Sequence, residues 1–156
     1  MISAHTFSPD ENALRASVPA HEAICALQAA MAQLPQLELE TEHHFIGGVY
    51  CRMLTQPAGS TVVGKVHRAE HLFIVCSGTM LLSDGTEPAR EITGPCVLVA
   101  APGTKRAIHA LTPVTYLNVH RTDRTDLDEI EAELVEPDAS ALFDARNRPK
   151  GISWPG

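Results

Sequence analysis

Two histidines and a glutamate fall within five residues in the run Gly64-Lys65-Val66-His67-Arg68-Ala69-Glu70-His71. Imidazole and carboxylate are groups that Zn²⁺, Fe²⁺, Mn²⁺ and Ni²⁺ accept as ligands. The run joins two stretches rich in β-forming residues. Positions two apart on a strand share a face, so Lys65 and His67 are expected to point into one cavity. His71, just beyond the turn, can point back at them. A third ligand has to come from elsewhere, and His109 is the expected donor. The alternative for His67, His71 and His109 is a set of hydrogen-bonded polar residues at a cavity mouth, without a metal. Glu70 is a candidate fourth ligand or general acid/base. Its other reading is a glutamate that faces water or pairs with Arg68.

Lys65, Arg68, Lys105 and Arg106 are a third of the 12 basic residues. Both pairs flank the expected cavity. They are candidates for gripping a carboxylate or phosphate, which arginine can do with two parallel hydrogen bonds. Salt bridges within the chain or between subunits are the alternative. His43 and His44 are neighbours on an expected strand and so face opposite sides, which keeps them from serving one ion. Ser60 and Ser77 lack a G-x-S-x-G setting, so a serine hydrolase is not supported. Pro102-Gly103-Thr104 does not match a phosphate-cradling P-loop and reads as a turn.

The elements that must position these groups follow from periodicity. Ile24, Leu27, Met31 and Leu34 recur at helical spacing, with Pro19 suited to the first turn and Pro35 ending the element. From Leu37 the period changes to two and runs to Ile46, where Gly47-Gly48 interrupts it. Short β-type runs follow at 49–54, 61–67, 72–75, 79–82, 96–100, 107–111 and 114–119. The Gly/Pro turns between them predict an all-β sandwich or barrel, with Asp84-Gly85 as a tight hairpin. A second helix is expected from near Thr125, with apolar Leu127, Ile130 and Leu134, stopped by Pro137. The expected organisation is an N-terminal arm (1–18), a β unit with flanking helices (19–134) and a C-terminal docking tail (135–156) that carries Trp154.

The 156 residues suit one domain, with 44% apolar and 20% charged residues. A net charge of −7 argues against binding nucleic acid. No apolar run is long enough to span a bilayer, and no secretory signal is visible, so a cytoplasmic protein without a membrane partner is expected. Cys25, Cys51, Cys76 and Cys96 form no C-x-x-C pair. Reduced, buried thiols are the expectation, and oxidised pairs stay open.

The histidine run and its turns resemble the cupin superfamily, whose first motif is G-x₅-H-x-H-x₃₋₄-E-x₆-G. Anchored on Gly78, the motif's glutamate falls on His71, its second histidine on His67, its first histidine on Lys65 and its leading glycine near Gly59. The second motif is matched loosely by Gly94, Pro102-Gly103 and His109, with His109 two residues later than the pattern and Asn118 much later. Two of the four ligand positions thus carry other residue types. The chain also resembles small cupin-like proteins encoded by tailed bacteriophages. That likeness is carried by Gln33-Leu34-Pro35-Gln36-Leu37-Glu38, Gly64-Lys65-Val66-His67, Ala101-Pro102-Gly103-Thr104-Lys105-Arg106 and Thr125-Asp126-Leu127-Asp128-Glu129-Ile130-Glu131-Ala132-Glu133. The resemblance implies a mainly β protein, a cupin-type double-stranded β-helix or jelly-roll barrel with one helix on each side.

Two functions follow as expectations. One is a non-catalytic binding or assembly module of a virion, such as a head-decoration or tail-accessory protein, with phage structural proteins as partners. The other is a metal-dependent cupin enzyme acting on a small anionic substrate, with Lys65 or Arg106 neutralising its charge. Open strand edges and the terminal segments predict a homodimer or higher oligomer.

Overall fold

The computed structural model describes residues 20–84 and 88–150. The expected arm (1–18), Gly85 of the expected hairpin and Trp154 lie outside the described residues. Helix α1 (Ala20–Met31) is followed by β1 (Glu40–Ile46), β2 (Val49–Gln56), β3 (Thr61–Val63), β4 (His71–Ser77) and β5 (Thr79–Ser83). Then come β6 (Arg90–Thr93), β7 (Cys96–Ala100), β8 (Ala107–Ala110), β9 (Val114–Arg121) and helix α2 (Leu127–Leu134).

The strands form two antiparallel sheets, one ordered β1-β2-β9-β4-β7 and the other β3-β8-β5-β6. The sheets pack face to face around one core that includes Leu54, Phe73, Val75, Met80, Ile108, Val114 and Tyr116. The expected closed barrel is therefore a sandwich, because no ladder joins the two sheets among the described residues. The outer strands of the smaller sheet, β3 and β6, are three and four residues long and offer few groups for pairing around the side. The chain changes sheet between β4 and β5 at Gly78, which has φ of +86°. A Cβ there would run into the carbonyl of Pro113 and the Cα of Val114, so only glycine fits.

Alternation sets which side chains line the interior. Tyr50, Arg52, Leu54 and Gln56 of β2 face the same way, next to Val114, Tyr116, Asn118 and His120 of β9. Tyr50 is directly opposite His120, and Arg52 opposite Asn118. At one end, Gln56 is fully buried; its amide donates to the carbonyls of Ser60 and Ile108, and its oxygen accepts from the Tyr116 hydroxyl. That side chain bolts the two sheets together. At the other end the inner face becomes a cluster of imidazoles.

Several expected boundaries shift. The run expected at 61–67 is a strand only to Val63; beyond Gly64 it leaves the ladder, and His67 forms a single bridge with Val135. β9 continues to Arg121, past the expected end at Val119. β6 was not legible, since Arg90-Glu91-Ile92-Thr93 buries only Ile92. The β5–β6 ladder is described from Thr79↔Thr93 to Leu82↔Arg90. In α1 the buried face is Ile24 and Gln28, while Leu27, and Leu34 beyond the helix end at Met31, are exposed. Gln28 takes the inward position because its amide reaches Asp138 and Ser140. Helix α2 is capped by Asp126, which accepts from the amides of Asp128 and Glu129, one residue later than the expected Thr125.

After α2 the chain packs back on its own body. Leu142 and Phe143 join the main core, and the Asn147 amide donates to Thr41. The Glu136 amide donates to the Val66 carbonyl, which ties this segment to the histidine run.

Candidate metal centre

The imidazoles of His67, His71 and His120 converge at one end of the sandwich. Each offers a ring nitrogen, and these atoms lie within 4.8 Å of one another. The ring centroids are 4.5 Å apart for His67–His71, 4.7 Å for His67–His120 and 4.3 Å for His71–His120. Two of the three come from neighbouring strands of the larger sheet. His71 opens β4, and His120 sits near the end of β9. His67 arrives from the segment after β3. Its backbone is fixed by the bridge to Val135 and by the Gly103 amide, which donates to its carbonyl. Beneath them, Tyr50 stacks on His120 and packs on Ile130 and Leu134 of α2.

His109, the expected third ligand, is not in this cluster. It lies on β8 in the opposite sheet, on the side facing away from buried Ile108 and Ala110, and its Nδ1 hydrogen-bonds the Thr61 hydroxyl. His120 stands in its place. The sequence carries a signal for it: the alternation Val114, Tyr116, Asn118, His120 continues the inward face of β9 by one more step. The strand end expected at Val119 falls one residue short of His120.

All three imidazoles are held neutral. Burial, reinforced by the charge of Arg52 and by the neighbouring rings, pushes His67 down to about 2. Burial and the neighbours His71 and Arg52 push His120 down to about 3. His71 is also lowered, by burial first and by the charges of Arg106 and Arg52, against hydrogen bonds that favour the charged form. Neutral imidazole is the form that binds a metal. The Nδ1–H of His71 donates to the Ala69 carbonyl at 3.3 Å, which orients the ring, and the Asn118 side chain also hydrogen-bonds it. The Nδ1 of His67 is buried with no hydrogen-bond partner. A buried polar atom without a partner costs stability unless something else bonds to it. The orphan nitrogen and the all-imidazole donor set both fit a divalent transition metal.

The cluster borders a cavity of about 70 Å³ lined by Arg52, Lys65, His67, His71, Arg106 and Asn118 on its polar side. Leu54, Phe73, Tyr116 and Phe143 are among its apolar lining. Of the expected anion-binding residues, Lys65 and Arg106 line it. Lys65 is paired with Glu131 at 2.7 Å. The Arg106 guanidinium lies 5.7 Å from the centroid of the Phe73 ring, and Asp84 acts on its charge. Lys105 is turned away; it is 4% exposed and bonded to Asp138 and the Gly64 carbonyl. Arg68 is exposed and does not line the cavity, and Glu70 is likewise exposed. Neither takes part in the cluster. Arg52 and Asn118, which do line it, were missed because each sits in a strand whose other positions read as ordinary β sequence. His43 and His44 do face opposite sides: His43 bonds the Tyr50 hydroxyl, and His44 pairs with Glu42.

No described helix is long and apolar enough to cross a membrane. No protein-family model matches the sequence, and no curated protein is similar to it. Solved structures are similar in fold. KdgF from a Halomonas species aligns at 14% identity over 61% of this chain and 87% of its own, with a TM-score of 0.50. An RmlC-like cupin family protein from Methanocaldococcus jannaschii, described as a double-stranded β-helix, aligns at 13% identity over 55% and 81%, with a TM-score of 0.47. A cupin 2 domain-containing protein from Halorhodospira halophila aligns at 19% identity over 67% and 73%, with a TM-score of 0.48. Two antiparallel sheets in this order, with a three-histidine group at one end and the likeness to KdgF, give the chain the fold of the cupin superfamily.

Proposed function

We propose that the protein is a metal-dependent cupin-fold enzyme in which His67, His71 and His120 hold one divalent transition metal, Zn²⁺, Fe²⁺, Mn²⁺ or Ni²⁺. A small substrate enters the adjoining cavity. The observation that carries this reading is the buried, partnerless Nδ1 of His67 in a cluster of three neutral imidazoles. A bound ion would supply Lewis acidity and a more acidic water. The protein's own part is positional. The Ala69 carbonyl orients the His71 ring, and the pairing of Tyr50 with α2 supports His120. The apolar wall of Leu54, Phe73 and Tyr116 keeps bulk water from the substrate.

Of the two functions expected from the sequence, this cluster favours the enzyme. The virion module rests on the phage resemblance, the departed ligand set at Lys65 and His71, and the terminal segments, and no residue of the site supports it. A homo-oligomer belongs to the proposal as well, and light scattering on the full chain decides it.

Metal titration of chelator-stripped, untagged protein tests the reading. One ion is expected to bind per chain, with loss of binding in the His67→Ala/His71→Ala double variant. Failure of all four metals to bind the folded protein overturns it.

A further inference from the structure

Arg52 projects from the inner face of β2 between His43 of β1 and Asn118 of β9, its partners in register. It lines the cavity. Its Nε is buried without a hydrogen-bond partner, and among the described residues no carboxylate lies within ion-pair distance of it. The contrast with the neighbouring cations is sharp. Lys65 is met by Glu131 and Lys105 by Asp138, while Arg106 has Asp84 nearby. No acidic side chain is among the described residues that line this cavity; Glu131 shares the adjoining cleft with Arg52 but is paired with Lys65.

A buried guanidinium N–H left without an acceptor carries a cost, and the Nε of Arg52 is in that position. A hydrogen-bonded anion in the cavity relieves it, and a carboxylate matches the planar fork of donors. The apolar remainder of the wall suits a short hydrocarbon body, and the volume of about 70 Å³ suits a small one. That volume is below the ~150 Å³ of an engineered cavity that takes up benzene.

We propose that Arg52 is the anchor for the carboxylate of a small, partly apolar monocarboxylic acid, held in the cavity beside the histidine cluster with Asn118 and Arg106 at its flanks. The inference rests on the reading of this cavity as the substrate chamber and names the class of compound that enters it. It assigns binding to a residue outside the histidine run.

The test uses chelator-stripped protein, so that it does not depend on the metal. Sodium propionate is titrated by calorimetry or ligand-observed NMR into the wild type, Arg52→Met, Arg52→Lys and the remote control Arg124→Met. Propionate is expected to bind the wild type and the control alike. Arg52→Met is expected to weaken binding by at least about tenfold, as loss of a charge-assisted pair does, and Arg52→Lys by less. Asn118→Asp places a carboxylate opposite the guanidinium, so it is expected to abolish propionate binding while raising the melting temperature. That variant decides the matter if Arg52→Met fails to fold. The proposal is overturned if propionate does not bind the wild type, if it binds folded Arg52→Met equally well, or if inorganic phosphate binds more tightly than propionate. Metal uptake by the histidines reports separately: it survives failure of this inference, and Arg52-dependent propionate binding survives failure of the metal reading.

Discussion

His71 and His120 stand side by side on adjacent antiparallel strands, their ring centroids 4.3 Å apart, on the inner face of the larger sheet. Two of the three imidazoles are thereby set by one ladder. The third, His67, is delivered by a segment that the Val135 bridge and the Gly103 amide hold in place. The cluster is a product of register, so changes that disturb the ladder or the bridge should act on it as much as changes of the ligands.

The pair Lys105–Asp138 is structural. Lys105 is nearly inaccessible, and its ammonium lies 3.2 Å from the Asp138 carboxylate. Desolvation raises the Asp138 carboxyl, but hydrogen bonds from Ser140, Gln28 and Lys105 together pull it below the usual carboxylate range. Asp138→Asn should cost about 3 kcal/mol at pH 7, because it leaves a buried ammonium without its counter-charge. A carboxyl depressed in the folded state stabilises above its unfolded pKa of about 3.9, and that stability is lost as pH falls toward the folded value. Urea denaturation should therefore show the gap between wild type and Asp138→Asn narrowing below about pH 4.

Gln56 should behave as a fully satisfied buried polar group. Gln56→Leu leaves the Tyr116 hydroxyl without its acceptor and takes a donor from the Ile108 and Ser60 carbonyls, the latter still bonded to the Ala110 amide. Each buried group left unpaired costs about 1–3 kcal/mol. Tyr116→Phe removes only one of these bonds and should cost about 1 kcal/mol. Equal losses in chemical denaturation would contradict the bolt between the sheets.

Two glycines separate strain from collision. Gly78 and Gly103 both have positive φ, +86° and +79°. A Cβ at Gly103 meets nothing within 4 Å, whereas one at Gly78 strikes the Pro113 carbonyl. Gly103→Ala should cost about 1 kcal/mol from backbone strain alone, and Gly78→Ala at least ~2 kcal/mol more. Thermal melts of the two variants check the order.

Much of this fold was legible in the sequence. The two-residue period exposed most strands, and the proline and glycine breaks placed most turns. The β1–β2 hairpin through Gly47-Gly48 follows from that pattern, with Ile46 paired to Val49. Long-range partnership was not legible. His109 and His120 both lie in β strands of similar local composition, and only the sheet order tells which of them shares a face with His71. Arg52 was hidden for the same reason: its meaning comes from Asn118 across the ladder and from having no carboxylate within ion-pair distance among the described residues. The inward turn of Gln28 in α1, in place of Leu27, depends on acceptors at Asp138 and Ser140, over a hundred residues away.

The central claim is that the metal-binding histidines are 67, 71 and 120, with His109 outside the set. The direct measurement is the metal content of untagged wild type, His120→Ala and His109→Ala after equilibration with the same ion and removal of the excess. The account predicts about one ion per chain in the wild type, unchanged content in His109→Ala and loss in His120→Ala. Retention by His120→Ala with loss from His109→Ala, or an empty wild type, would contradict it.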